Sequence, residues 1–256
     1  MALSTPLTTY PGREISPSFA PDGERVAFAW WNGEGYDIYI KQIGSEQPLR
    51  LTNNPADDMQ PVWSPDGRAI AFLRSIGEET AAILMIPAIG GAERKIGELR
   101  TNSARASLRR LLTWLPGGKD LIISDESQAG MPRALFRVSS ITGARRQITY
   151  PPPDSIGDEA PDLSPDEHTF IFSREINSLT AELYTTAISA DMNPIGVLVQ
   201  LTHLSRLSTF PIWAANGREI LFALEDSMPA VLCECDRSLQ TLPGLPLPPE
   251  SPAAQP

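Results

Sequence analysis

Five short apolar segments, each preceded by a tight polar turn, recur along the chain at nearly equal intervals. In Ile70-Ala71-Phe72, as in its four counterparts, three consecutive positions are apolar, although side chains on a strand alternate between two faces. A strand that is apolar on both faces is buried on both faces, as it is when packed between two neighbouring sheets. The counterparts are Val26-Ala27-Phe28, Leu121-Ile122-Ile123, Phe170-Ile171-Phe172 and Ile220-Leu221-Phe222.

The turn before each apolar segment follows one pattern, of which Ser64-Pro65-Asp66-Gly67 is the fullest copy. Proline presets φ, aspartate tolerates the bridge region and glycine accepts a positive φ, so the pattern predicts a tight hairpin turn. The turn positions lie at residues 22, 66, 117, 166 and 216, so the repeat is 44 to 51 residues long. A repeat of that length indicates a solenoid or a propeller. The predicted structural turn residues are Pro21, Asp22, Gly23, Pro65, Asp66, Gly67, Pro165 and Asp166.

In each repeat unit the turn joins a first strand to the apolar segment, which is the second strand, and two further segments follow. Third strands are predicted at 36–40, 82–87, 134–138, 182–187 and 229–235. Units one to four then close with Leu51-Thr52, Ile96-Gly97, Ile148-Thr149 and Leu201-Thr202. Four strands every 40 to 50 residues are typical of a propeller blade. The sequence therefore predicts an all-β fold, a β-propeller of about five four-stranded blades over residues 1–242.

The two ends of the chain leave alternatives open. Five blades make a small ring, so an incomplete six-bladed ring is the alternative to a closed one. Leu7-Thr8 matches the closing Leu-Thr pairs, whereas unit five has only 238–242 available at that place. The N-terminal segment would then supply the outer strand of the last blade, or it is the end of a blade missing from this chain. Residues 243–256 hold six prolines and are predicted to be an extended or disordered tail, or a ligand for an aromatic groove.

Charge is distributed unevenly along the chain. The net charge of −10 disfavours general nucleic-acid binding. Residues 93–146 contain eleven basic and five acidic residues, a balance of +6, which leaves −16 for the remainder. The functional interpretation is a basic sector that docks an acidic partner, with Arg105, Arg109 and Arg110 as candidate contact residues. The alternative interpretation is ordinary solvated charge.

The sequence predicts no catalytic residue, no metal site and no cofactor. It contains no Gly-x-Ser-x-Gly nucleophile elbow, no Walker-type phosphate loop, no His-Glu-x-x-His and no Cys-x-x-Cys. Asp57-Asp58 is predicted to lie in a loop, where paired carboxylates suit a cation but equally need no ligand. His168 is predicted at a turn and His203 in a connection between blades, and a histidine without a partner is weak evidence for catalysis.

The turn from Ser64 to Arg68, followed by Ile70-Ala71-Phe72, resembles the WD40-like repeat of TolB-type β-propellers, over roughly residues 6–242. Units three to five depart from the pattern through Gly117, Glu167 and Ala215-Asn216. Such a repeat is specific for an architecture and unspecific for function.

The first repeats are also similar to the C-terminal repeats of certain bacterial regulators, in which the propeller follows a winged-helix or Ser/Thr kinase domain. The resemblance implies a non-catalytic module that binds a protein or a small ligand, as the sensing or docking part of a regulator. One alternative is the substrate-gating propeller of a prolyl-oligopeptidase-like serine peptidase without its hydrolase domain. Another is a propeller enzyme with a metal in its central channel, which requires clustered His, Asp or Glu.

The sequence gives two observations on the cellular compartment of the chain. No apolar run approaches the roughly 18 residues that span a bilayer, so no transmembrane segment is predicted. The N-terminus lacks the basic start and apolar centre of a secretory signal. The chain is expected in the cytoplasm as written, and in the periplasm if it derives from a longer membrane-anchored parent.

Overall fold

The computed structural model describes residues 7–101, 106, 109–189, 191, 193–214, 216–225 and 238–243. These residues form nineteen β-strands, β1 to β19 in chain order, which group into five blades. Blades one and two comprise β1 Glu14–Phe19, β2 Arg25–Trp31, β3 Tyr36–Gln42, β4 Leu49–Arg50, β5 Asp58–Trp63, β6 Ala69–Gly77, β7 Thr80–Pro87 and β8 Arg94–Arg100. Blades three to five comprise β9 Leu112–Trp114, β10 Asp120–Glu126, β11 Arg133–Ser139, β12 Arg145–Gln147, β13 Gly157–Leu163, β14 Thr169–Asn177, β15 Thr180–Ala187, β16 Val199–Gln200, β17 Leu207–Trp213, β18 Glu219–Glu225 and β19 Ser238–Pro243.

The blades curl about a common axis. Within each blade, consecutive strands pair antiparallel. The first strand of each blade contacts the first strand of the next, in the order β1, β5, β9, β13, β17. Ser16 on β1 and Phe210 on β17 line the same cavity, so the last blade comes back toward the first. The predicted all-β propeller is confirmed.

The second strand of each blade packs on two neighbours at once. Ile70 and Phe72 on β6 join the core between blades one and two, whereas Ala71 and Leu73 join the core between blades two and three. All four side chains are completely buried. Complete burial of one phenylalanine side chain contributes about 2–3 kcal/mol, so the Phe72 side chain alone stabilises the interface between blades one and two substantially. The apolar triplets in the sequence therefore indicated this packing correctly.

Ser64-Pro65-Asp66-Gly67 and its variants in the other blades form the predicted turns. At the second copy, the Gly67 amide donates to the Ser64 carbonyl oxygen at 2.9 Å, and Gly67 has a φ of 68°. The Asp66 carboxylate accepts the Ser64 hydroxyl at 2.6 Å and the Arg68 amide at 3.0 Å. These donors hold the pKa of Asp66 below its usual value, the Ser64 hydroxyl having the larger effect. The fourth turn repeats this arrangement around Asp166.

Neighbouring turns also contact each other. A Cβ at Gly67 would lie 3.6 Å from Cδ of Pro21, in the turn of the preceding blade. The same relation joins Gly118 to Pro65 at 3.9 Å. The turns of blades one to three therefore form a continuous row on one face of the propeller, which is called the turn face below.

Four of the five predicted third strands are confirmed, as β3, β7, β11 and β15. The fifth prediction needs correction. The strand that pairs with β18 is Ser238–Pro243, the segment that the sequence analysis left for the outer position of the last blade. The predicted strand at 229–235 lies outside the described residues. The sequence analysis chose 229–235 because valine and cysteine favour strands. The strand that pairs with β18 is instead set by its register with β18, which residue composition does not reveal.

The closing Leu-Thr pairs have a definite structural role. The hydroxyl of Thr52 accepts the backbone N–H of Ile38 at 2.9 Å. Thr149 and Thr202 accept equivalent amides from Leu135 and Leu183. Each threonine thus continues the hydrogen bonding of a third strand where the short outer strand ends.

The N-terminal segment covers blade one instead of pairing as a strand. Leu7 and Thr8 lie outside the strands. Tyr10 packs on Trp30 with ring centroids 5.1 Å apart, and the Trp30 indole N–H donates to the Pro11 carbonyl oxygen at 2.9 Å. Val26, Phe28 and Tyr39 lie in the same cluster. The described part of the N-terminal segment therefore caps one side of blade one, and the choice between ring closure and a missing blade stays a prediction.

Candidate functional site

A cavity of about 740 Å³ lies where the inner strands converge. It is called the axial cavity below. Five prolines, two tryptophans and Phe210 form its apolar wall, and Arg109 and Arg110 are its charged residues. None of the described residues that line it is acidic. Its size falls within the range of about 300–1,000 Å³ that is usual for ligand pockets.

Bulges in the inner strands direct side chains toward this cavity. Ser16, Gln60 and Phe210 each precede a proline and have φ between 53° and 54°, and the strand register shifts at each of them. Ala160 has the same conformation in blade four. Blade three has Leu111-Leu112 in place of the residue and its proline, and there the pairing of β9 with β10 is regular. A proline inside a predicted strand was the sequence signal for these bulges, and the sequence analysis did not use it.

Arg110, which precedes the first strand of blade three, donates hydrogen bonds to blades four and five inside the propeller. Its Nη2 donates to the carbonyl oxygens of Ala160, Pro161 and Pro211, at 3.1, 3.1 and 2.7 Å. Its Nε is buried and has no hydrogen-bond partner. Burial lowers the pKa of Arg110, an effect that the charge of Asp162 opposes. The Nε–H group is therefore a buried donor that no acceptor among the described residues satisfies.

Arg109 is paired with two buried carboxylates. Its Nε lies 2.9 Å from Glu159 Oε1, and its Nη2 lies 2.6 Å from Glu175 Oε1. Only 17% of the Arg109 side chain is exposed, and the two glutamates are almost completely buried. This cluster joins blade three to blade four and largely neutralises the charge of Arg109.

The polar and aromatic walls are also fixed by hydrogen bonds. The Gln60 side-chain amide donates to the Ala106 carbonyl oxygen at 2.7 Å and accepts the Leu111 backbone N–H at 2.8 Å. The Trp114 indole N–H donates to the Val62 carbonyl oxygen at 3.1 Å. A cavity whose wall residues are held this way is largely preformed for a ligand.

A family model described as PD40, TolB beta propeller domain, matches residues 4–194. The chain belongs to this family. No curated protein matches its sequence significantly.

Solved structures show the same fold for this TolB-type propeller. The putative TolB from Agrobacterium tumefaciens aligns with a TM-score of 0.70 and 18% identity, over 93% of this chain and 79% of that one. TolB from Acinetobacter baumannii aligns with a TM-score of 0.67 and 16% identity, over 86% of this chain and 51% of that one. A prolyl endopeptidase structure aligns with a TM-score of 0.60 and 11% identity, over 91% of this chain and 34% of that one. The chain thus spans only part of these proteins.

The predicted basic sector is not a single exposed patch in the described residues. Arg105 lies outside them, whereas Arg109 and Arg110 lie together at the axial cavity. Arg137 and Arg145 pair with carboxylates of their own blade, at 2.7 and 2.5 Å. Docking of an acidic partner stays a prediction, and the structure places two of its candidate residues, Arg109 and Arg110, at the axial cavity.

The remaining candidate residues are one buried carboxylate with a structural partner and two surface histidines. Asp58 begins β5 instead of lying in a loop, and it is fully buried against Arg74 at 2.7 Å. His168 and His203 are exposed. In the described part of the chain, no group of three His, Cys, Asp or Glu is placed to hold a metal ion. The same part contains no helix that is long and apolar enough to cross a bilayer.

Proposed function

We propose that this TolB-type propeller is a non-catalytic binding module whose axial cavity receives an extended segment of a partner protein. The axial cavity carries the proposal, because it combines ligand-sized volume, an apolar wall and a cation on a rigid scaffold. Its walls come from strands and tight turns, which hold binding residues in fixed positions.

The wall chemistry suits an extended peptide. The half-buried rings of Trp114 and Phe210 offer aromatic surface, and peptides rich in proline or apolar residues dock on such surfaces with little loss of conformational entropy. Ser16 and Thr113 add hydroxyl groups for the peptide backbone. Arg110 favours a partner segment that carries a carboxylate, which agrees with an acidic partner.

The same residues favour binding over catalysis. The hydroxyl groups at the cavity belong to Ser16, Ser18 and Thr113, and the described lining residues include neither a histidine nor a carboxylate that would activate them. A serine or threonine nucleophile requires such a base. We therefore propose a sensing or docking role within a bacterial regulator, as the similarity of the repeats to those of winged-helix and kinase proteins implies.

Selection from a random peptide library on the purified chain tests the proposal. We expect recovery of peptides with proline or apolar residues near an acid, and about tenfold weaker binding to Trp114→Ala, because aromatic contacts dominate such sites. Binding to Pro116→Ser should weaken by a smaller factor, because Pro116 lies at the rim of the cavity. Pro116 is exposed at the cavity rim, so its substitution tests binding without disturbing the core. Ile141→Ser is the matched control, since Ile141 is 71% exposed and outside the cavity.

Two outcomes would contradict the proposal. One is that no peptide is enriched over a blank support. The other is that enriched peptides bind both cavity variants as tightly as they bind the wild-type chain and Ile141→Ser.

A further inference from the structure

The chain contains two Asn-Gly sequences, and each lies in a connection between two antiparallel strands. Asn32-Gly33 joins β2 to β3, and Asn216-Gly217 belongs to the fifth turn, between β17 and β18. Asparagine followed by glycine is the sequence most prone to spontaneous deamidation, because glycine has no side chain to hinder attack of its backbone nitrogen on the asparagine side-chain carbonyl carbon. The structure around each pair therefore decides whether the reaction occurs in the folded chain.

The two glycine amides differ in their hydrogen bonding. The Gly217 amide donates to the Ala214 carbonyl oxygen at 2.9 Å, so its nitrogen is engaged within the turn. The Gly33 amide donates to no acceptor in the part of the chain that the structure describes. A Cβ at Gly33 would also meet no atom of the described residues within 4 Å. The Gly33 nitrogen can therefore turn toward the asparagine side chain directly, whereas Gly217 would first have to break its hydrogen bond.

The Asn32 side chain is held in a position that favours the reaction. Its Oδ1 accepts the Glu34 amide at 3.1 Å, and a donor at this place stabilises the negative charge that develops on the oxygen. Its Nδ2 donates to Asp37 Oδ2 at 3.0 Å. Asn32 is exposed, so water reaches it. Asn216 makes equivalent hydrogen bonds, so the glycine amide is what distinguishes the two sites.

We propose that Asn32 is a site of spontaneous deamidation in the folded chain and that Asn216 is protected. The Gly33 nitrogen loses its proton to solvent and forms a bond to Asn32 Cγ, and the Cγ–Nδ2 bond breaks. Nδ2 takes up a proton from solvent and leaves as ammonia, so that a cyclic imide remains. Water then adds to either carbonyl carbon of the imide and opens the ring, which gives aspartate or isoaspartate at residue 32. Water is the only co-reactant.

The product changes the charge beside a buried carboxylate. Asp37 is 2% exposed, and its Oδ2 accepts hydrogen bonds from Asn32 and Arg50, at 3.0 and 2.5 Å. Aspartate at residue 32 replaces the donating Nδ2 with a carboxylate oxygen, so two like charges face each other beside β3. The isoaspartate product adds a methylene group to the backbone of the same connection. Deamidation therefore weakens the pairing of β2 with β3 and changes blade one slowly and irreversibly.

Peptide mapping of the purified full chain during incubation at mildly alkaline pH tests the proposal. Trypsin releases Asn32 in peptide 26–41 and Asn216 in peptide 207–218, so the gain of one mass unit is measured for each site separately. We expect Asn32 to deamidate about five- to tenfold faster than Asn216, the factor that one backbone hydrogen bond gives. The rate at Asn32 should rise with pH, because the Gly33 nitrogen attacks only after it has lost its proton.

The same measurement in guanidinium chloride is the control for structure. Both sites then lose their hydrogen bonds, so we expect the two rates to become similar. A rate at Asn216 that equals or exceeds the rate at Asn32 in the folded chain would overturn the proposal. Reaction of both sites in guanidinium chloride and of neither in the folded chain would overturn it as well, because the connection at Asn32 would then be protected.

Substitutions that place the product in the chain test the effect on blade one. Asn32→Asp should lower the midpoint of thermal unfolding by about 2–4 °C, the shift usual for loss of one interaction in a chain of this size. Asn216→Asp is the matched control, because the facing carboxylate of Glu219 is exposed and solvent screens the repulsion there. Equal midpoints for the two variants would contradict the effect on blade one, whereas the assignment of the reactive residue depends on the peptide mapping alone.

Discussion

At the scale of single residues, the last position of each turn has nearly the same positive φ in all five blades, although one of the five residues is not glycine. Gly23, Gly67, Gly118 and Gly217 have φ between 65° and 70°. Glu167 occupies the same place in the fourth turn with a φ of 63°. A side chain in this left-handed region is strained, whereas glycine is not. Comparison of the five turns in the sequence identified Glu167 in the place of glycine. The Glu167 amide still donates to the Ser164 carbonyl oxygen, as the Gly67 amide does to Ser64, so the turn is retained.

Glu167→Gly should therefore stabilise the chain. We expect the free energy of unfolding to rise by about 0.5–1 kcal/mol, because relief of strain exceeds the added entropy of the unfolded chain. Urea denaturation followed by tryptophan fluorescence measures it. Gly67→Ala is the reciprocal control and should lower stability by about 1 kcal/mol or more. A neutral or destabilising Glu167→Gly would refute the strain argument.

At the scale of strands and blades, buried ion pairs distinguish blades two and four from the others. Asp58 pairs with Arg74 across β5 and β6, and Asp158 pairs with Arg174 across β13 and β14. Asp158 is fully buried and the Arg174 side chain is 8% exposed. Removing one partner of such a pair leaves an uncompensated buried charge.

Asp158→Asn should lower the free energy of unfolding by about 3–5 kcal/mol, because Arg174 would keep its charge without a counterion. Chemical denaturation of both chains at neutral pH measures the difference. Glu98→Gln is the control, since the Lys95–Glu98 pair is about half exposed and should contribute less than about 1 kcal/mol. Equal effects of the two substitutions would show that burial does not set the cost.

The elements also show where sequence analysis succeeds and where it fails. Apolar triplets such as Ile70-Ala71-Phe72 predicted strands packed on both sides, because consecutive apolar residues on a strand indicate that both of its faces are buried. The same analysis missed the bulges at Ser16 and Gln60, although a proline follows each of them. It assigned Arg109 and Arg110 to a basic sector but not to a cavity, since charge alone does not tell which side chains a bulged strand and a neighbouring blade enclose. The axial cavity therefore emerged only from the assembled blades.

At the scale of the whole molecule, the blades are coupled through a few long-range contacts near the axis. Arg110 links its own blade to the inner strands of blades four and five, through Ala160 and Pro211. Repeat proteins otherwise interact mainly with nearest neighbours, so such a contact controls how independently the terminal blades open.

Arg110→Ala should accelerate amide hydrogen exchange in β17 and β18 more than in β2 and β3. The reason is that blade five loses its hydrogen bond from blade three, whereas none of the described residues of blade one is hydrogen-bonded to Arg110. Hydrogen exchange with mass spectrometry on the two chains measures the effect. Arg68→Ala, at an exposed turn residue, is the control and should leave both regions unchanged. Equal acceleration in all blades would indicate global destabilisation instead of local uncoupling.

The N-terminal cap on blade one limits how the propeller can be lengthened on that side. Tyr10 and Pro11 cover the side of blade one on which a preceding blade would pack, with Trp30 beneath them. A blade inserted before blade one would have to displace this cap. An engineered extension on this side therefore has to replace the aromatic contact that Tyr10 makes with Trp30.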